Sequence, residues 1–238
     1  MRKMKIKVYM MDISSLMEEE KKDEFQRLCA TLSKKRQKKI EKFRYTQGKC
    51  LSLGAGLLLD YGLRQYGLRE QETVMIYGAD EKPYLKDYPE IFFNLSHSGT
   101  MAMAVFGNQE VGCDVEQIKK AEFRVAHRFF ASEETRVLTQ IQEETEQNVM
   151  FYRFWTLKES FLKVTGKGIR MPLNEFSIHL GPSVWVERKG RQEDYTFAEF
   201  SLPKYRAAVC VKGGGENIKI EEPQFFDVSM LYLEGIER

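Results

Sequence analysis

The chain has 238 residues, of which 42% are hydrophobic and 30% charged, and its formal net charge is +2. This balance excludes a disordered or fibrous protein, and the length allows either one large core or two smaller ones. The longest apolar stretch, around Leu51 to Leu59, is far too short to span a bilayer, and Cys29, Cys50, Cys113 and Cys210 are too scattered to form a metal or disulfide framework.

The N-terminal stretch carries no signal-peptide pattern, so a soluble cytoplasmic protein with reduced thiols is expected, and the sequon Asn94-Leu95-Ser96 is expected to stay unglycosylated. Met4, Ile6, Val8 and Met10 alternate with Lys5, Lys7 and Tyr9, the period of a half-buried strand. Ser14 or Ser15 then offers a cap to the helix LMEEEKKDEFQRLCATL. The basic segment SKKRQKKIEKFRYTQGK follows, with Arg36, Lys39 and Phe43 on one helical face and Lys35, Lys38 and Lys42 on another. Such a cluster usually makes a solvated face or a nucleic-acid patch, and a small phosphate-rich ligand would use the same charges. No aromatic interleaving, zinc spacing or recognition-helix pattern favours nucleic acid.

An apolar helix, KCLSLGAGLLLDYGLRQYG, comes next, and VMIY, MAMAVF and VGCDVE read as strands. EFRVAHRFF, SEETRVLTQIQEE and NVMFYRFWTLKESFLKVTG read as helices, the last capped at Gly166. FSIHL, SVWVE, YTFAEFSL and RAAVCVK read as strands, antiparallel because no helix-length crossover separates them. Each half thus sets a long helix before strands. The class is α+β, with a junction at GNQE dividing an N-terminal half, 1–107, from a C-terminal half, 108–238.

Three stretches could carry chemistry. Asp114 and Glu116 in VGCDVE are two apart on a strand and share a face, so their charges repel unless a hard cation such as Mg²⁺ makes both of them ligands. The same pair would also serve as a solvent-facing acidic strand end. Trp155, Glu159 and Lys163 form one stripe of a helix at i, i+4 and i+8, beside an apolar stripe of Phe154, Leu157 and Phe161. Glu159 and Lys163 alone would make an ordinary surface ion pair; the aromatic on their stripe argues that it meets protein or ligand. In FFNLSHSG, Ser96 and His97 are neighbours on an extended chain and point to opposite faces, which argues against a hydrolase triad and leaves His97 as a donor to an anion or as a core histidine. His127 and His179 read as structural.

Together, KKRQKKIEKF, Lys82-Pro83, FFNLSHSG, VGCDVE and FWTLKESFLKVTGKG resemble, in order and spacing, the 4′-phosphopantetheinyl transferase superfamily, and in particular its Sfp type. The resemblance covers most of the chain. It implies two similar α+β halves related by a pseudo-twofold, with a ligand cleft between them. It further implies an Mg²⁺-dependent holo-[carrier protein] synthase that moves the 4′-phosphopantetheine arm of coenzyme A to a serine of an apo carrier protein, releasing adenosine 3′,5′-bisphosphate. Asp114, Glu116 and Glu159 would hold Mg²⁺, with Mn²⁺ able to use the same oxygens. Arg36, Lys39, Ser96 and His97 would contact phosphates, Lys82 and Pro83 would flank the adenine, and Lys158 and Lys163 would lie close to the pyrophosphate. Glu159 would act as base toward the serine, and Lys163 would assist the departing phosphate.

Where the family commonly has an Arg followed by a hydroxyl residue, this chain has Leu51-Ser52; Ser52 keeps the hydroxyl, and Lys49 could reach in from another angle. The partner would be an acyl or peptidyl carrier of fatty-acid or secondary-metabolite synthesis. It would dock near Lys119, Lys120, Phe123 and Arg124, although the same segment could be a helix packed on its own domain. A monomer is expected, with neither nucleic acid nor membrane as partner. The rivals are a non-catalytic nucleic-acid-binding protein using residues 34–49 and a degenerate coenzyme A-binding homologue.

Overall fold

The alternating N-terminus forms strand β1 (Met4–Asp12), which lies inside the molecule. The structure is a computed structural model that describes residues 4–78, 81–214 and 217–228. The half-buried expectation holds only for the start of β1: Lys5 and Lys7 are exposed, but Tyr9 and Met11 are as buried as Val8 and Met10. A helix covers one face of the strand and a second sheet covers the other.

After β1 the expected single helix is broken into two 3-10 turns and helix α1 (Lys22–Ala30). The Ser14 amide bonds the Asp12 carboxylate, so Asp12 rather than a serine makes the local side-chain bond at the entry to the first turn. The basic segment folds as α2 (Lys34–Glu41), capped by Ser33. Helix α3 (Thr46–Arg64) is buried through most of its length, as a sequence apolar nearly all round requires. Strands β2 (Met75–Tyr77) and β3 (Pro83–Leu85) make a small hairpin, followed by β4 (Phe92–Ser98), β5 (Met101–Gly107) and β6 (Val111–Gln117).

Helices α4 (Phe123–Phe129), α5 (Ser132–Gln140) and α6 (Glu144–Thr165) come next, and α6 ends at Gly166 in the left-handed conformation. A small three-stranded sheet contains β7 (Phe176–His179), β8 (Trp185–Arg188) and the two-residue β9 (Arg191–Gln192). The chain then joins β6 in a three-stranded sheet as β10 (Tyr195–Leu202) and β11 (Tyr205–Lys212), followed by β12 (Ile218–Ile220) and β13 (Gln224–Phe226).

The two halves share a plan. In the first, α3 covers a sheet in which β1, β5 and β4 are adjacent in that order; in the second, α6 covers one in which β6, β11 and β10 are. Both therefore place their first strand next to their last, with antiparallel pairing throughout. The chain does not stay in its second half to the end, however: β12 and β13 pair in parallel with β1, so residues 218–226 belong to the first sheet despite lying beyond the expected boundary at residue 108.

Three apolar clusters result. One fills the space between α3 and its sheet, with Leu53, Leu57 and Phe106, and a second fills the space between α6 and its sheet, with Phe154, Leu157 and Phe161. The third, containing Val8, Met10, Met103, Cys113, Val115 and Val209, lies between the two sheets. The order of layers is helix, sheet, sheet, helix. Among the described residues no helix is long and apolar enough to cross a membrane.

Strand β6 lies so close to α6 that a Cβ at Gly112 would collide with the backbone of Ser160 and Val164. Backbone cannot move aside as a side-chain tip can. Gly112→Ala is therefore expected to cost about 3 kcal/mol or more, measured by denaturant unfolding. A loss below about 1 kcal/mol would mean that helix and strand separate easily.

Candidate active site

The two sheets meet edge to edge at β4 and β6, and the contact is made by side chains. The Cys113 amide donates to Asn94 Oδ1 at 3.1 Å, the Val115 amide to Ser96 Oγ at 3.4 Å and the Gln117 amide to Ser98 Oγ at 3.2 Å. These are alternate residues on both strands, so the pleat of β4 supplies acceptors to an edge of β6 that would otherwise be unpaired. The sequon asparagine, Asn94, is buried in this contact.

A cavity of about 920 Å³ opens beside this seam. One wall is cationic: Lys35, Arg36, Lys38, Lys39 and Lys42 all line it, so both basic faces of α2 and its C-terminal extension turn toward the same space. Arg36 is held in place. Its Nε donates to Glu70 Oε1 at 3.4 Å, and both Glu70 oxygens accept from Ser33, the residue that caps α2. Desolvation, followed by the charge of Arg36, lowers the pKa of Lys39. Ser52 also lines the cavity, with its buried Oγ without a partner among the described residues.

The far end is anionic. Asp114, Glu116 and Glu159 line it together with Trp155 and Lys163, so the helical stripe at i, i+4 and i+8 does meet the strand pair across the cavity. Ser96 Oγ donates to Asp114 Oδ1 at 2.8 Å, Lys163 Nζ donates to the same oxygen at 2.7 Å, and Ser98 Oγ donates to Glu116 Oε2 at 2.5 Å. Asp114 Oδ2 is buried without a partner among the described residues. Desolvation first, and then the charge of Asp114, pushes Glu116 up to about 6 and raises Glu159 as well. Desolvation would lower Lys163, but attraction to Asp114 and its other neighbours outweighs it and leaves the ammonium above its ordinary range.

An orphaned carboxylate oxygen beside two carboxyls raised by desolvation and by the charge of Asp114 fits a hard divalent cation, which would satisfy the first and favour the charged form of the others. Among the described residues, though, no three such side chains stand in ready-made coordinating position. Lys163 and Ser98 each engage one oxygen of the set.

Several expected site residues lie elsewhere or are committed otherwise. Lys158 is fully buried in the second half, where its Nζ donates to Glu134 Oε1 at 2.7 Å and to the Phe176 carbonyl at 2.8 Å, so it is not near the cavity. The sequence places it one residue before Glu159, and a step of one along a helix turns a side chain through about 100°. Pro83 lines the cavity but Lys82 does not: its ammonium joins Glu110 at 2.5 Å, the Val111 carbonyl and the Val164 carbonyl at the end of α6, which makes it a clamp between the halves. Lys49 does not line the cavity; the lysine that does, near that end of α2, is Lys42.

His97 lines the cavity, and desolvation together with the charges of Lys163 and Lys39 holds its pKa below the usual range. Ser96 turns to Asp114 and Lys163. Phe123 packs on the second core, edge-on to Phe151, whereas Lys119, Lys120 and Arg124 are exposed. Ser98 and Glu70 also belong to the site's framework, with no role assigned to them from the sequence. For Ser98 the period-two pattern Asn94, Ser96, Ser98 was available; Glu70, distant in sequence from Ser33, carried no local signal.

Lys158→Ala should leave Glu134 buried without its counter-charge and destabilise the fold by about 3–5 kcal/mol, while the affinity of the cavity for its ligand stays unchanged. Wild-type stability in denaturant unfolding, with weakened ligand binding, would return Lys158 to the site.

Residues 110–210 match the 4′-phosphopantetheinyl transferase superfamily. The chain is 31% identical over 192 residues to the 4′-phosphopantetheinyl transferase Sfp of Bacillus subtilis, an alignment that covers 79% of this chain and 85% of that one. It is 27% identical over 221 residues to the 4′-phosphopantetheinyl transferase psf-1 of Bacillus pumilus, covering 90% and 94%. It is 32% identical over 167 residues to the 4′-phosphopantetheinyl transferase HetI of a Nostoc species, covering 67% and 70%.

Proposed function

The chain belongs to the 4′-phosphopantetheinyl transferase superfamily, and from that membership we propose that it transfers the 4′-phosphopantetheine arm of coenzyme A to a serine of an apo acyl or peptidyl carrier protein. The observation that carries this reading is the division of one cavity into a cationic wall on α2 and a carboxylate end on β6 and α6. A compact ligand with several phosphates suits the first, and a cation shared with its pyrophosphate suits the second. A nucleic acid is a poorer fit, because its phosphates would run on toward Asp114, Glu116 and Glu159.

In this reading Arg36, Lys39, Lys42 and Ser52 bind the nucleotide phosphates, His97 donates to a phosphate oxygen as a neutral imidazole, and Pro83 flanks the adenine. Asp114, Glu116 and Glu159 are the residues that would hold Mg²⁺, with Mn²⁺ suited to the same oxygens; when bound, the cation supplies charge neutralisation at the pyrophosphate. The serine oxygen forms a bond to the β-phosphorus, and the bond from that phosphorus to the bridging oxygen breaks, which releases adenosine 3′,5′-bisphosphate. Glu159 accepts the serine proton, directly or through one water, and Lys163 places its ammonium on the leaving phosphate oxygen. Cation binding and base strength at Glu159 oppose one another, because a carboxylate that ligates a divalent cation is a weaker base. Trp155, stacked on Phe151 and tilted against Phe130, forms the apolar wall beside Glu159.

The carrier would approach from the side of Lys119, Lys120 and Arg124, whose charge suits an acidic partner surface, while Phe123 acts as their packing anchor rather than as a contact. Both halves of the cavity come from one chain, which suits a monomer.

Incubation with coenzyme A, Mg²⁺ and an apo carrier protein should add the phosphopantetheine mass to the carrier. Asp114→Ala and Glu159→Ala should each lower that rate by at least about 10²-fold with circular dichroism unchanged; near-wild-type transfer by either variant would refute the carboxylate assignment.

Steady-state kinetics should separate the two substrates. His97→Ala raises KM for coenzyme A alone, and charge reversal at Lys119 and Lys120 raises KM for the carrier alone. Equal changes in both constants for either variant would undo that division.

A further inference from the structure

Ser96 and Ser98 repeat one construction along β4. Each hydroxyl oxygen accepts an amide of β6, from Val115 and Gln117 respectively, and donates its proton to the carboxylate of the residue just before, Asp114 or Glu116. Asn94 accepts the Cys113 amide in the same way, but its Oδ1 has no proton to pass on, and the residue before Cys113 is Gly112, which has no carboxylate to receive one. A hydroxyl has one proton to give. Once the amide fixes the oxygen, that proton ties the carboxylate to the backbone of the strand that carries it.

The two carboxylates are not held alike. Asp114 is short and also receives the Lys163 ammonium at 2.7 Å. Glu116 has one more rotatable bond, is only partly buried, and among the described residues its side-chain hydrogen-bond partner is Ser98, at 2.5 Å. A longer arm with a single tether depends on that tether for its orientation.

We propose that Ser98 is the positioning residue for Glu116: its hydroxyl, fixed by the Gln117 amide, occupies one carboxylate oxygen and leaves the other directed for a divalent cation. The inference rests on the reading of Glu116 as a cation ligand. The residue supporting a ligating carboxylate typically contributes about 10–100-fold to metal affinity. A hydroxyl that only closed the sheet edge would contribute to stability and nothing to the cation.

The isosteric pair Ser98→Thr and Ser98→Val separates these roles, since both side chains suit a strand and differ by the hydroxyl. Mn²⁺ is titrated into the full chain saturated with coenzyme A and followed by electron paramagnetic resonance, with Tm measured in parallel and Glu116→Gln as reference. The expected result is that Thr binds Mn²⁺ within about twofold of wild type, Val about tenfold or more weaker, and Glu116→Gln at least as weak as Val. Equal affinities for Thr and Val, beside a weakened Glu116→Gln, would overturn the role of Ser98 while leaving Glu116 a ligand. An unweakened Glu116→Gln would overturn both. If Val fails to fold, Ser98→Gly takes its place, read against Thr by the same criterion.

Discussion

Two sheet edges, β4 and β6, are joined by side chains instead of a backbone ladder, and the rest of the site depends on that seam. An edge strand buried between layers has amides that must be satisfied. Here Asn94, Ser96 and Ser98 satisfy them at Cys113, Val115 and Gln117. A backbone ladder would have merged the halves into one continuous sheet. Side chains hold the strands apart far enough for a cavity to open at the join, and they bring the carboxylates of β6 to its wall.

The other constraints reinforce this geometry. Gly112 lets α6 lie directly on β6, which carries Glu159 and Lys163 to the same end as Asp114. Lys82 ties the last turn of α6 to the start of β6, so helix and strand cannot slide past one another. On the opposite wall, the buried Glu70 holds Ser33 and Arg36 together and fixes the angle of α2. Charge is thereby sorted along the cavity: cations come from a helix exposed by its polarity, and carboxylates from strand β6 and from the face of α6 that meets it.

Much of this was legible in the sequence. The stripe Trp155, Glu159, Lys163 and the pair Asp114, Glu116 each follow from a fixed period, and periods survive folding. Lys158 shows where such reading stops. Glu159, the next residue, lines the cavity, yet helical rotation carries Lys158 into the core, where Glu134 and the Phe176 carbonyl wait 24 and 18 residues away. The return of β12 and β13 to β1 was equally hidden, since short strands of ordinary composition do not declare which edge they complete.

By itself, then, the sequence determined the identity of the elements, the faces their side chains share and the family to which their order points, because propensity and periodicity are local properties of the chain. The tertiary structure alone decided which faces meet. That Ser98 would reach Glu116, that Lys163 would lie against Asp114, and that both basic faces of α2 would open on one space depend on the register between strands far apart in the chain. Between strands that no tight turn joins, register is fixed only when their buried faces pack together.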